Sequence, residues 1–138
     1  MKILIDTGPL YAFFNKRDEW NLWVGKTLGA CKPPLYTCES VISETIFLLQ
    51  RSSMEISGLM ELMTRKHLII QPAFKSTDDQ RRVQEILENY QNIPASFADA
   101  CLVRMAEVHV PCKLMTLDSD FSIYRKNDGK AIDLISPF

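Results

Sequence analysis

Four carboxylate side chains stand far apart along the chain, each close to the end of a predicted strand or the start of a predicted helix: Asp6, Glu44, Asp99 and Asp118. Carboxylates that crowd together repel one another, so that either some of them are protonated or a cation lies between them. Oxygen ligands without histidine or cysteine favour a hard ion, Mg²⁺ or Mn²⁺. Such an ion lowers the pKa of a water and neutralises charge on a phosphoryl group. If the fold gathers these residues, phosphodiester hydrolysis is the chemistry that they indicate.

Two of these acids follow short apolar runs. Asp6 closes the run Ile3-Leu4-Ile5 and precedes the turn residues Thr7-Gly8-Pro9, and Asp118 follows the run at residues 113–117. Short β-branched runs closed by Gly or Pro indicate buried strands, so both acids are predicted at strand carboxyl ends. That edge of an open α/β sheet is where ligands bind. A capping or turn role explains either residue equally well at this stage.

Asp99 lies at the third position of a helix that Ser96 is predicted to cap. A carboxylate there can accept hydrogen bonds from first-turn amides and interact with the positive end of the helix, which is a sufficient structural explanation. The small residues Ala98 and Ala100 flank the acid, however, and leave room for a ligand to approach it.

Glu44 belongs to a helix predicted over residues 40–51, where it lies at the edge of an apolar stripe that includes Val41 and Leu48. An acid in that position is expected to be half-buried, which is costly unless something compensates its charge. The structural alternative is a surface glutamate that pairs with Arg51.

Strands are predicted to alternate with helices along the whole chain, and the predicted helix-opening residues are Thr7, Asp18, Ser53, Ser76 and Ser96. This alternation predicts an α/β fold, a three-layer α/β/α arrangement with a central, mostly parallel sheet of four to five strands. Five runs are predicted as strands: 3–5, 35–38, 68–70, 113–117 and 131–135. Right-handed crossovers place the carboxyl ends of parallel strands at one edge. The strand-end acids therefore share that edge, and the acids of the early helix turns lie within reach of it.

The length of 138 residues favours one domain over residues 1–138, large enough to bury about 70% of its unfolded surface. The formal net charge of −1 neither favours nor excludes a nucleic acid partner. Four cysteines without CxxC spacing indicate reduced thiols, and two histidines argue against a zinc site. No apolar run approaches the roughly 18 residues of a membrane span, and no leader is visible, so we expect a cytoplasmic protein.

The order of these motifs resembles the PIN-domain ribonucleases, and especially the small VapC-like toxins of bacterial and archaeal toxin–antitoxin pairs. The resemblance covers nearly the whole chain and rests on four segments: Ile-Leu-Ile-Asp6-Thr, Ser-Val-Ile-Ser-Glu44, Phe-Ala-Asp99-Ala and Leu-Met-Thr116-Leu-Asp118-Ser-Asp120-Phe121. It implies a PIN-like parallel sheet and a single-stranded or structured RNA substrate. It also implies a homodimer and a small antitoxin whose tail fills the groove near the acids.

The resemblance also assigns roles to individual residues. The Mg²⁺ or Mn²⁺ site would be built by Asp6, Glu44, Asp99 and Asp118. Asp120 matches a less constant acid of the family, so it is predicted as an auxiliary ligand or a residue that holds a water. Thr7 and Thr116 match hydroxyl positions that orient the carboxylates. No side chain is predicted as a covalent nucleophile.

Four basic residues are candidate RNA contacts from their position alone: Lys16, Arg17, Arg51 and Arg104. Three other interpretations of the acids remain open. The protein could be a housekeeping PIN-type RNA-processing nuclease, or a PIN module that binds RNA or protein without catalysis. The acids could also form the pocket of a phosphoacceptor, either receiver-like or an aspartate-nucleophile phosphatase. Such proteins need paired acids or Asp-x-Asp after the first strand, and Asp6-Thr-Gly8 supplies neither.

Overall fold

A sheet of five short parallel strands is flanked by helices in the computed structural model, which describes residues 1–138. The strands are β1 (Lys2–Ile5), β2 (Leu35–Thr37), β3 (Leu68–Ile70), β4 (Cys112–Met115) and β5 (Leu134–Ile135). Their order across the sheet is β3-β2-β1-β4-β5, so β1 is central and β3 and β5 are the two edges. All pairs are parallel, which confirms the predicted α/β/α fold class.

Six helices connect and cover these strands: α1 (Thr7–Phe14), α2 (Asn21–Gly29), α3 (Glu39–Arg51), α4 (Ser57–Thr64), α5 (Thr77–Asn89) and α6 (Phe97–Val108). A short 3₁₀ helix, Ser119–Ser122, follows β4. The helix α6 is the most deeply buried, because small and apolar side chains occupy several of its faces. No helix is both long enough and apolar enough to cross a bilayer. The four cysteines are free thiols, as predicted.

The central strand pair fixes where the chain leaves the sheet. Leu4 pairs with Leu114 and Ile5 with Met115, and all four side chains are fully buried. Strands buried on both faces are typical of parallel sheets covered by helices. Because the register places Ile5 beside Met115, the residues that follow them leave the sheet side by side.

Three predicted helix starts are wrong. Asp18 does not cap α2, which begins at Asn21 with Trp20 as its N-cap residue; the Asp18 carboxylate instead accepts from the Trp20 amide at 2.8 Å, in the turn before the helix. Local hydrogen bonding also explains the other two. Asp6, not Thr7, caps α1, because its Oδ1 accepts a hydrogen bond from the Thr7 amide at 2.7 Å and helical geometry begins at Thr7. Ser53 does not open α4. It has φ of 57° and belongs to the end of α3, where the Met54 amide donates to the Leu49 carbonyl. This is the six-to-one bond of a Schellman motif, and α4 begins only at Ser57.

A buried carboxylate, Glu107, joins three segments on one side of the sheet. Its side chain is 1% exposed and accepts hydrogen bonds from Arg82 Nε at 2.9 Å, Arg104 Nη1 at 3.4 Å and the Asn127 amide at 2.8 Å. These partners lie on α5, on α6 and in the segment that leads towards β5. Since removing one member of a buried charged cluster leaves the others unpaired, this contact stabilises the docking of those segments.

Glu107→Gln is expected to lower the free energy of unfolding by about 3 kcal/mol, because two partly buried guanidinium groups lose their shared counter-charge. The measurement is urea denaturation followed by circular dichroism. Glu85→Gln is the matched control, since Glu85 also contacts Arg82, at 3.4 Å, but its side chain is 53% exposed. That control is expected to cost at most about 0.5 kcal/mol. Equal losses in the two variants would contradict this account.

Candidate active site

Asp6 lies at the carboxyl end of the central strand and is 6% exposed. Its Oδ1 accepts from the Thr7 amide at 2.7 Å, and its Oδ2 accepts from Thr116 Oγ1 at 2.8 Å. The register of β1 and β4 causes this second contact, because Asp6 and Thr116 directly follow the paired residues Ile5 and Met115. Asp6 is therefore both the cap of α1 and a buried acid at the sheet edge, so the two interpretations of this residue are not exclusive.

Thr7 and Thr116 connect Asp6 to two further acids, Thr7 through its amide and hydroxyl and Thr116 through its hydroxyl alone. Thr116 Oγ1 accepts from the Asp118 amide at 3.0 Å while it donates to Asp6. Thr7 Oγ1 donates to Glu44 Oε2 at 3.0 Å. Glu44, Thr7, Asp6, Thr116 and Asp118 thus form one continuous hydrogen-bonded chain across the edge of the sheet. The Asp120 amide extends it by donating to Asp118 Oδ1 at 2.9 Å.

Asp99 reaches the same region from the first turn of α6. The predicted capping box is present: the Ser96 amide donates to Asp99 Oδ2 at 3.0 Å, and the Asp99 amide donates to Ser96 Oγ at 3.1 Å. Burial raises the pKa of Asp99 despite these bonds from Ser96, and the carboxylates of Asp118 and Glu44 raise it further. Asp99 is therefore an acid whose charge is disfavoured by its neighbours.

A second helix carries the same capping box and shows what a purely structural acid does. On α5 the Ser76 amide donates to Asp79 Oδ2 at 3.1 Å and the Asp79 amide to Ser76 Oγ at 3.0 Å. Burial of Asp79 acts against ionisation, but Arg104 Nε donates to its Oδ1 at 2.8 Å, and this bond with those from Ser76 lowers the pKa to about 2. The corresponding oxygen of Asp99 accepts no protein hydrogen bond. The two capping boxes are thus alike, but the pKa of Asp79 is lowered and the pKa of Asp99 is raised.

Burial raises the pKa of Asp6 from 3.8 to about 7. The hydrogen bonds from Thr116 and Thr7 act in the opposite direction, and the nearby carboxylates of Asp99 and Asp118 add to the increase. Burial and nearby negative charges both disfavour the ionised form of a carboxyl group. The edge of the sheet therefore favours a proton or a cation at Asp6.

No lysine, arginine or histidine forms an ion pair with any of the edge acids; the six ion pairs of the molecule all lie elsewhere. The expected pair of Glu44 with Arg51 is not formed. Glu44 is also exposed rather than half-buried, because the inward positions of α3 are Val41, Ile42, Thr45 and Leu49. The negative charge at this edge has no protein counter-charge.

The donor set suits a hard divalent cation, although the ligand geometry is not assembled. Glu44, Asp99 and Asp118 each use one carboxylate oxygen in a protein hydrogen bond and leave the other without a protein donor. Oxygen donors with uncompensated charge fit Mg²⁺ or Mn²⁺. As the side chains lie here, no group of three or more acidic, histidine or cysteine side chains could hold a metal ion. Binding would therefore need side-chain rotation, and the metal-ligand roles stay predictions.

The predicted basic residues do not gather around the acids. Arg104 is engaged by Asp79 and Glu107, so its guanidinium is part of the structural ion-pair cluster and not free for RNA. Lys16 and Arg17 are exposed just beyond the end of α1, and Arg51 is exposed at the end of α3. Each of these three lies at the far end of a helix whose first residues are at the sheet edge.

Tyr124 was missed by sequence reasoning. Its side chain is fully buried, its ring lies edge-on to Tyr90 and Phe121 at 4.9 and 5.3 Å between centroids, and its hydroxyl has no hydrogen-bond partner. Burial raises the pKa of this hydroxyl, and the carboxylates of Asp99, Asp120 and Asp118 raise it further, so the oxygen lies close to the acids. The only sequence signal was its position shortly after the acidic Asp118–Asp120 segment.

Comparison with solved structures finds a protein of similar fold. The chain is similar in structure to VapC20 from Mycobacterium tuberculosis, a toxin described as cleaving the sarcin-ricin loop. The two share a TM-score of 0.74 and 22% sequence identity, over 88% of this chain and 94% of that one. A search of curated proteins gave no match.

The family comparison covers the candidate site as well as the fold. The family model described as PIN domain matches residues 3–127, which include the edge acids, both threonines and Tyr124. Because that match spans most of the polypeptide, the chain belongs to the PIN domain family.

Proposed function

We propose that this PIN domain is a metal-dependent endoribonuclease and the toxin of a toxin–antitoxin pair. The observation that carries the proposal is the contrast between two equal capping boxes. Asp79 is neutralised by Arg104, whereas Asp99 has one oxygen without a protein donor, and the charged neighbours that affect its pKa are the carboxylates of Asp118 and Glu44. A site whose negative charge has no protein counter-charge favours the binding of a cation.

Asp6, Glu44, Asp99 and Asp118 would hold Mg²⁺ or Mn²⁺, with Asp120 as an auxiliary ligand. The bound ion would supply a water of lowered pKa and neutralise charge on the phosphoryl group. Thr7 and Thr116 hold the orientation of Glu44 and Asp6, and Thr116 also holds the backbone at Asp118. Hydrolysis by water is consistent with the absence of any Ser or Cys nucleophile beside a base in this cluster.

The RNA substrate, the antitoxin partner, the homodimer and the cytoplasmic location are proposed from the resemblance to VapC-like toxins. The similarity to VapC20 supports the toxin role, since that protein is described as a toxin that cleaves the sarcin-ricin loop. Growth of cells that express the protein separates a toxin from a housekeeping nuclease, because only a toxin should arrest growth.

Asp99→Asn is expected to reduce RNA cleavage in Mg²⁺ or Mn²⁺ by more than about 100-fold, since even outer-shell partners of metal ligands cost about 10- to 100-fold. It should also abolish growth arrest. Asp79→Asn is the matched control, because it alters the equivalent capping box on α5 and also loses the ion pair with Arg104. The control should be at least as destabilised, by about 1 kcal/mol or more, yet cleave RNA normally. An Asp99→Asn variant as active as the parent would overturn the proposal.

In the metal-free protein, the free energy of unfolding is expected to fall as the pH rises from about 4 to about 7. Because the folded pKa of Asp6 is about 7 and the ordinary value is 3.8, the folded state keeps a proton that the unfolded chain has released. The stabilisation present below about pH 4 is lost by about pH 7, and amounts to on the order of 3 kcal/mol. Urea denaturation in chelator measures it.

Asp6→Asn is the control for this titration, since an amide does not ionise and other groups titrate equally in both proteins. The variant should lack the Asp6 contribution, so that its stability relative to the parent increases with pH. Mg²⁺ at about pH 8 should stabilise the parent and leave the variant unchanged. Parallel pH profiles for the two proteins would contradict the assigned environment of Asp6.

Tyr124→Phe is expected to leave stability unchanged or raise it by up to about 1 kcal/mol, because it removes a buried hydroxyl that has no partner. Cleavage should nevertheless fall by roughly 10-fold if the hydroxyl donates to a site carboxylate or to the substrate. Tyr90→Phe is the control: the Tyr90 hydroxyl accepts from the Arg125 amide at 2.9 Å, so its loss should cost about 1 kcal/mol without slowing cleavage. A fully active Tyr124→Phe variant would exclude the hydroxyl from the site.

A further inference from the structure

Two phenylalanine rings form an exposed pair beside the candidate active site. Phe74 and Phe97 are each 44% exposed, and their rings meet edge to face with centroids 5.1 Å apart and an interplanar angle of 86°. Phe74 follows β3, and Phe97 is the first residue of α6, two positions before Asp99. We name this pair the aromatic ridge. Both residues are exposed to solvent, whereas Tyr124 and Phe121, which form another ring pair of the molecule, are fully buried.

The ridge borders a cavity of about 230 Å³ at the carboxyl edge of the sheet. The cavity lining includes Cys38, which follows β2, and the segment Ala73–Lys75 that follows β3. The acids lie beyond β1 and β4 at the same edge, because all strands are parallel. Neighbouring strands are about 4.8 Å apart, so the cavity adjoins the acids within one or two strand spacings. A chain molecule held at the acids can therefore extend over the ridge.

On its other side the ridge forms the wall of a groove of about 520 Å³ along α5. The polar side chains of that groove are those of Thr77, Gln80, Arg81 and Gln84. Amides and a guanidinium can hydrogen-bond the edges of nucleobases, and aromatic rings stack on their faces. The groove thus combines both modes of base recognition in one place.

Two cations and one acid line the cavity and the groove beside the ridge: Lys75, Arg81 and Glu39. The balance of charge there favours a polyanion. Lys75 lines the cavity and forms no ion pair. Arg81 contacts only Asp78, at 3.5 Å, with both side chains at least two-thirds exposed, so this contact does not hold the guanidinium away from a ligand. Asp79 of α5, which is half-buried, is already neutralised by Arg104. Two available cations beside two open rings are the combination found in sites for single-stranded nucleic acid.

We propose that the aromatic ridge is a nucleobase-binding subsite, which holds an unpaired base of a single-stranded RNA segment next to the phosphodiester at the acids. The inference rests on the proposed ribonuclease function and adds a binding determinant that the acids do not provide. Stacking tolerates any base, so the ridge selects unpaired RNA over duplex and not one sequence over another.

The test measures binding of a fluorescent single-stranded RNA of mixed sequence by anisotropy, in chelator so that no cleavage occurs. The double variant Phe74→Leu/Phe97→Leu keeps apolar volume at the ridge and removes both π-faces. It should increase the Kd by roughly 5- to 100-fold, which is the loss of affinity expected for one stacked base. The salt dependence of binding should stay that of the parent, because phosphate contacts are unchanged. The double variant Phe74→Tyr/Phe97→Tyr keeps both aromatic rings and should bind RNA as the parent does.

Phe13→Leu is the matched control, since Phe13 is 37% exposed and also lies edge to face with a second ring, Phe14, at 5.0 Å. It should bind RNA as the parent does. Unchanged binding by the Leu double variant, or an equal loss in the Phe13 control, would overturn the subsite. If the Leu variant instead changed only self-association in ultracentrifugation, the ridge would be a protein contact and the inference wrong.

The two proposals fail in different ways. If the parent cleaves RNA in Mg²⁺ or Mn²⁺ and the Leu double variant binds RNA as well as the parent, the subsite is wrong and the nuclease function stands. A parent that neither binds nor cleaves RNA removes both. Retained folding of the Leu variant is checked by its urea denaturation curve.

Discussion

The pairing of β1 with β4 in one register is the constraint on which the site depends. Ile5 lies beside Met115, so Asp6 and Thr116 leave the sheet together and share a hydrogen bond of 2.8 Å. The strands are fully buried there, so the carboxylate that follows them is buried too. A slip of one residue would turn each strand's side chains to the opposite face and separate the two groups. The packing of the core thus determines the position of the most perturbed acid.

The surrounding structure separates two uses of negative charge. Away from the edge, carboxylates are neutralised: Glu107 by two arginines, and Asp79 by Arg104. At the edge, acids are held by hydroxyls and backbone amides, which orient them without supplying positive charge. Hydrogen bonds of this kind keep the side chains in place while their mutual repulsion persists. Arg82 and Arg104 therefore stabilise the fold, whereas the edge of the sheet keeps its negative charge.

Sequence patterns predicted much of this arrangement. The third strand, residues 68–70, was predicted to the residue, and the capping box of Ser96 and Asp99 was recognised because its spacing is a local rule. The predictions failed for two different reasons. Ser53 has the chemistry of a helix cap, but the backbone hydrogen bonds of a Schellman motif make it close the preceding helix. Arg104 is engaged by Asp79 of another helix, a contact that no local rule predicts.

The candidate site shows the same division. The acids and their common edge follow from strand ends and crossover handedness, whereas the hydrogen bond from Thr7 to Glu44 depends on how α1 packs on α3. The exposure of Glu44 could not be predicted for the same reason, since the face that α3 buries is set by that packing. Tyr124 carried no motif at all, and only its burial beside the acids reveals it.

The two margins of the sheet bear on how copies of the molecule could associate. At one margin β3 has three residues, and Pro72, which has no amide hydrogen to donate, lies two residues beyond its end; at the other, β5 has only two residues. Strands this short present few free backbone groups to a neighbouring chain, which protects against intermolecular sheet extension and fibrillar assembly. Stable contacts between copies are therefore expected to use helix surfaces and their side chains rather than the edges of the sheet.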